Sequence, residues 1–242
     1  MFKRIFVCIS FIILYAASLH AQLPASTEPR VLLRYEKSFY GQLHTQGWGI
    51  GYRTGYNLTA MKKRMLDVSF YTMKHPKEVR ISNSYMYINA KSYIYGKMNH
   101  FFLIQGSVGT QRTLNEKPYW GGVEIRTFFS TGISLGFTKP IYLYIFPDNS
   151  LEKYDPEEHF YDNIFGRGPF LKGFDDLKLH PGLYMKAGLN FEHGFDETRI
   201  RALEAGVMLS AFLKPVEIMS FTDNHNLFVN FYVTYHIGSR GN

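Results

Sequence analysis

Cysteine is nearly absent. The 242 residues hold one, Cys8, inside an apolar N-terminal stretch, so no disulfide framework and no thiolate site can form downstream of it. Charge is also sparse, at 19% of residues. Long apolar runs are missing too: beyond residue 20 none nears the ~20 residues with which a helix crosses a bilayer. That excludes a helical membrane bundle. Disorder is excluded from the other direction, because 21 Phe, 18 Tyr and 2 Trp offer far more burial than a disordered chain carries. The chain has no Walker or Rossmann glycine pattern, no H-E-x-x-H helix, no nucleophile elbow and no paired-carboxylate motif. What it does have is 17% aromatic residues at a mean hydropathy of only −0.18. Alternating apolar and polar residues produce that combination.

The first 21 residues read as an address. Lys3 and Arg4 form a basic start, Ile5 to Ala17 an apolar core, and Ala21 a small residue before Gln22. This is the layout of a secretory signal peptide cleaved after Ala21, although Leu19 departs from the small residue usual at the minus-three position. The apolar core is too short for an anchor helix, and no stop-transfer flank follows. Losing Lys3 and Arg4 lowers the formal charge from +7 to +5, and Cys8 leaves with them. N-terminal sequencing of the exported protein should begin at Gln22; a chain that still starts at Met1 would overturn the export reading.

Downstream the period is two. Between Val123 and Phe137 one face reads Val123, Ile125, Thr127, Phe129, Thr131, Ile133, Leu135, Phe137, and the other Glu124, Arg126, Phe128, Ser130, Gly132, Ser134, Gly136. A face that mixes charge with Gly and Ser suits the crowded interior of a narrow barrel. The apolar face suits lipid, which tolerates strands only when closure pairs every backbone group. Ten such segments are marked: 31–43, 48–57, 64–74, 85–97, 101–112, 121–137, 141–146, 182–193, 199–212 and 227–238. The expectation is an all-β, antiparallel transmembrane β-barrel of ten strands, with eight as the alternative and 141–146 the least regular segment. Residues 22–242 form its single domain. Short gaps at 58–63, 98–100, 138–140 and 194–198 would be periplasmic turns; those at 75–84, 113–120, 147–181 and 213–226 would be outer loops.

The run Glu204 to Phe212, then Leu213 to Met219, then the strand Phe228 to Gly238 resembles small outer-membrane β-barrel proteins of Bacteroidota, and the Ala21-Gln22 junction resembles signal peptides of that phylum. The resemblance implies an outer-membrane location and a small barrel. It carries no established activity and transfers no catalytic residue. Ser239 to Asn242 depart from the aromatic ending many such barrels have.

Candidate sites follow from the two faces and the longest loop. The inward residues Arg34, Glu36, Arg53, Asp67, Glu124, Arg126, Lys186, Glu192 and Glu204 set four cations against five anions. Near balance argues for salt-bridged filling rather than an ion path, which would carry a sign bias. The long extracellular loop 147–181 is studded with Tyr154, Phe160, Tyr161, Phe165, Phe170 and Phe174. Aromatics in that number should pack on the barrel mouth or against a partner. The acidic run Asp155, Glu157, Glu158, with His159 and Asp162, offers hard oxygen ligands but lacks the spacing of a calcium loop. His75, His180, and His225 beside Asp223 fall near strand ends without a nucleophile pattern. No catalytic, cofactor or metal residue is assigned. Dispersed basic residues such as Lys74, Lys77, Arg80, Lys172 and Lys178 are placed to face lipopolysaccharide phosphates. The expected role is a non-enzymatic outer-membrane protein that contacts a partner or surface ligand through its long loop, with membrane lipid and lipopolysaccharide around it and no nucleic acid. The rivals are a narrow pore for small solutes and a lipid-modifying enzyme.

Overall fold

Where side chains alternate, the chain pairs with itself. The computed structural model describes residues 34–82, 91–116, 122–194 and 198–241; the signal segment 1–21 lies outside them. In chain order the strands are β1 (Tyr35–His44), β2 (Gly47–Asn57), β3 (Lys62–Met73), β4 (Arg80–Ile81), β5 (Tyr93–Ile94), β6 (Asn99–Asn115), β7 (Glu124–Pro140), β8 (Tyr142–Ile145), β9 (Ser150–Lys153), β10 (Ile164–Arg167), β11 (Lys178–Glu192), β12 (Arg199–Val216) and β13 (His225–Gly241). Eight of them close into an antiparallel barrel in the order β1-β2-β3-β6-β7-β11-β12-β13. The seam joins first strand to last, from Tyr35 opposite Gly241 to His44 opposite Tyr232.

The count is therefore eight rather than ten. The segment 141–146 alternates, yet it becomes β8, which pairs with β9 and β10 in a separate three-stranded sheet. Its inward residues Leu143 and Ile145 pack with Tyr93, Tyr154 and Ile164. Four residues extend only ~13 Å, too short for an apolar band of ~25 Å. Of the segment 85–97, Tyr93–Ile94 pairs with Arg80–Ile81 outside the barrel, and residues 83–90 lie outside the described part. Losing these two strands reassigns the connections. Among the described residues, 58–61, 116, 122–123, 193–194 and 198 lie at the end of Tyr35 and Gly241, while 45–46, 74–82, 91–98, 141–177 and 217–224 lie at the other. Of the expected outer loop at 113–120, the described residues 113–116 thus sit at the end of Tyr35 and Gly241, and the expected turns at 98–100 and 138–140 fall at strand ends. The long loop spans 141–177, its last expected residues having joined β11.

The solvent preference of the two faces is inverted relative to a water-soluble fold. Phe39 and Leu43 are each 71% exposed and Phe231 is 65% exposed, whereas Gln105, Ser134, Ser210 and Asn230 are 0% exposed. An apolar exterior around a polar interior is the arrangement that hydrocarbon selects. Glycine makes the interior fit at two points on β2. A Cβ on Gly49 would lie 2.0 Å from Cδ1 of Tyr71, and one on Gly51 would lie 2.3 Å from Cζ of Tyr40. Both tyrosine rings occupy the space a side chain would need there.

Candidate functional site

The barrel interior is built in three levels. At the terminal end, six charges from five strands interlock. Glu36 binds Lys63 and accepts from Nε of Arg240 at 2.7 Å. Arg240 also binds Glu192. Glu192 meets Nη1 of Arg126 at 2.8 Å, and Nε of Arg126 meets Glu124 at 2.8 Å. These groups belong to β1, β3, β7, β11 and β13, so the chain of pairs ties the wall across its width.

The middle level centres on Arg53. Its Nε donates to Oδ2 of Asp67 at 2.9 Å, and Nη1 reaches across to Oε2 of Glu204 at 2.5 Å. Tyr40 donates to the second Asp67 oxygen at 2.6 Å, and Tyr232 donates to Oε1 of Glu204 at 3.2 Å. His236 stands 3.3 Å from the same carboxylate. Lys186 is held differently. Its Nζ donates to Oε1 of Gln42 at 2.9 Å and to the Tyr71 hydroxyl at 3.2 Å, with the Tyr232 ring centroid 4.6 Å away. Aromatic faces and a carbonyl oxygen share this charge.

The outer level is apolar. Phe101, Phe212 and Phe228 have ring centroids 5.4 to 6.0 Å apart, and Met73, Val216, Ile218 and Met219 belong to the same cluster. The cavity between the terminal and middle levels measures about 20 Å³, room for about one water. Among the described residues the interior thus carries paired charges at one end and aromatic rings at the other.

Eight of the nine inward residues named from the sequence line this lumen, all buried. Arg34 does not: it precedes β1 and is exposed, although its carbonyl accepts from the Asn57 N–H at 3.0 Å. Lys63, Arg240, Tyr40, Gln42 and His236 join the network without having been singled out. Lys63 shares the inward parity of Asp67, and Arg240 belongs because β13 runs to Gly241.

The loop aromatics separate into three groups. Tyr154 is buried in the core that β8, β10 and Tyr93 form, and Phe165 is half-buried on β10. Phe160 and Tyr161 are exposed, with Tyr161 6.4 Å from the Tyr95 ring. Phe170 and Phe174 pack on one another at 5.9 Å, and Phe170 meets Phe102 of the barrel wall at 6.5 Å.

The remaining titratable candidates are held in local contacts. His159 is buried; its Nδ1 accepts from the Asp155 backbone N–H at 2.9 Å, and its Nε2 is 3.2 Å from Glu152. Hydrogen bonds from Ser150 and from His159 hold Glu152 below the usual carboxylate range. No cluster of metal-ligating side chains occurs among the described residues. His75 Nδ1 accepts from the Lys77 N–H at 3.2 Å, and partial burial, reinforced by Lys77, lowers its proton affinity. His180 bonds Thr138 at 3.1 Å, while His225 and Asp223 are exposed.

No family model and no curated protein matches the chain. Among solved structures it is similar to Neisserial surface protein A (NspA), with 10% identity and a TM-score of 0.40 over 85% of this chain and 96% of that one. It is similar to Ail, the attachment invasion locus protein of Yersinia pestis, with 10% identity and a TM-score of 0.41 over 87% and 99%. A third is the N-terminal β-barrel domain of Pseudomonas aeruginosa OprF, with 12% identity and a TM-score of 0.34 over 86% and 99%. The fold of this chain rests on its own strand pairing: a closed, eight-stranded antiparallel barrel with an apolar exterior and a folded cap.

Proposed function

We propose that this chain is a non-enzymatic barrel of a bacterial outer membrane, of the small kind its C-terminal third resembles in Bacteroidota, and that it contacts a partner or surface ligand through the loop 141–177. One contrast carries the reading. The lumen is filled, while the loop builds a folded unit of its own that presents Phe160 and Tyr161 to solvent. The apolar exterior and the signal-like residues 1–21 support export to that membrane, with the loop end outward and lipopolysaccharide around it. Exposed aromatics on an ordered support are what a binding face requires.

A photo-crosslinking residue at Phe160 or Tyr161 in living cells tests this. The expected result is a discrete protein or glycolipid adduct from these positions and none from Leu58 at the opposite end. Adducts absent from both aromatic positions would sink the contact role. In planar bilayers the purified protein should carry no steady current; a stable open channel would favour the narrow pore instead.

A further inference from the structure

Outside the lumen, a cavity of about 400 Å³ opens beside the outer rim, between the start of β6, the end of β7 and the returning loop. It falls in the ~300–1,000 Å³ range of small-molecule sites. Six cations line it, Arg80, Lys91, Lys97, Lys139, Arg167 and Lys172, and no carboxylate does. Two of the six are consumed by the protein. Lys97 is buried with its Nζ 2.6 Å from Glu78. Lys139 is buried too, donating to the carbonyl oxygens of Phe170 and Lys172, with the Phe170 ring centroid 4.0 Å from its Nζ. Arg80, Lys91, Arg167 and Lys172 are exposed, and no carboxylate lies within ion-pair distance of them among the described residues. Four exposed cations gathered around one cavity raise its positive potential and favour an anion there.

The depth of the cavity narrows the anion. Lys139 pairs with His100 across β6 and β7, one residue pair outward from Thr138 and two from Phe137 and Phe102. The period of two puts Lys139 on the same face as Phe137 and Leu135, which is the outside of the barrel. The cavity therefore stands just beyond the apolar wall, and Phe170 lines it while packing on Phe102 and Phe174, which makes an apolar shelf at its edge. Its walls are tightly built. A Cβ on Gly166 would lie 2.7 Å from the Lys91 carbonyl oxygen, and the Gly168 N–H donates to the Tyr142 carbonyl at 2.8 Å.

We propose that this cavity binds a phosphorylated saccharide, with Arg80, Lys91, Arg167 and Lys172 taking the phosphate oxygens. Guanidinium groups donate to such oxygens in pairs, and the lysines add point charges. A ligand that also carries acyl chains would lay them on the apolar shelf, so the lipid-borne form binds more tightly than the free one. The inference deepens the reading of the loop end as the outward, ligand-facing end and rests on it.

The test uses the full mature chain in detergent micelles, first shown to be folded by a heat-modifiable gel shift. Binding is measured for lipid A bearing two phosphates, for enzymatically dephosphorylated lipid A, and for glucose 1-phosphate. Lipid A should bind at least tenfold more tightly than its dephosphorylated form. Arg167→Gln and Lys172→Gln, both at exposed positions, should each weaken lipid A binding about tenfold with the gel shift unchanged. Glucose 1-phosphate binding as tightly as lipid A would support the site and assign it a soluble ligand. Equal binding of phosphorylated and dephosphorylated lipid A, or parental affinity in the double variant Arg167→Gln/Lys172→Gln, would overturn it. A separate measurement addresses the orientation. Because the mature chain lacks cysteine, Asp148→Cys provides a single thiol for a membrane-impermeant label on intact cells. Labelling without phosphate dependence sinks the site alone. Phosphate dependence without labelling sustains the site and overturns the outward orientation.

Discussion

Replacing Arg53 with methionine should cost the barrel about 3–5 kcal/mol of folding stability, the usual penalty for removing one partner of a buried pair. Arg53 is the only group that touches both Asp67 and Glu204 among the described residues, and both carboxylates are almost fully buried. Without the guanidinium, their remaining donors are the hydroxyls of Tyr40 and Tyr232 and the Asn190 amide, with the His236 ring 3.3 Å from Glu204, none of them a permanent cation. The loss is charge left unpaired rather than packing, so a compensated variant separates the two causes. Arg53→Met combined with Asp67→Asn and Glu204→Gln should regain most of the stability, because neutral amides need no counterion. Urea unfolding in lipid vesicles checks this through the transition midpoint. An unchanged midpoint in Arg53→Met would show that Lys186 can move to replace the lost charge.

Phe231→Arg should cost about 2–4 kcal/mol by the same measurement, the penalty for a cation at the bilayer midplane, against about 0–1 kcal/mol for Tyr35→Arg near the rim. Phe231 lies in the middle of the outward run Leu227, Val229, Phe231, Val233, Tyr235, Ile237 and pairs with Val207 of β12. Tyr35 sits at the terminal end of β1 beside Tyr56. Equal tolerance of arginine at both positions would mean that the exterior does not face hydrocarbon. The opposite face offers no mild control. Ser210 is fully buried near Gln105, so an aspartate there would be an unpaired charge in a dry interior.

The face assignment is legible in the residues because a period of two leaves one choice per strand, and the wrong choice would put Glu204 or Arg126 in lipid. The strand count is not, since Tyr142 to Ile145 alternate as a wall strand does. What separates them is length and the presence of Tyr154 and Ile164 as a second partner face, which local pattern does not record. Arg240 is hidden for a related reason: it lies past Ile237, the last apolar residue of its strand, where alternation ceases to be visible while the hydrogen-bond ladder continues. The cation-lined cavity is the least legible feature. Its cations come from positions 80, 91, 97, 139, 167 and 172, which look like scattered solubilising charge until the loops fold back on the rim.

The seam between β1 and β13 imposes an order on assembly. Each wall strand pairs with its sequence neighbour in the wall, but β1 also needs residues 225–241, far along the chain. Until that pairing forms, the sheet keeps two open edges, on β1 and on β13, and nothing local can close them. A chain cut before His225 would leave edges on β1 and β12 that can pair with any exposed strand nearby.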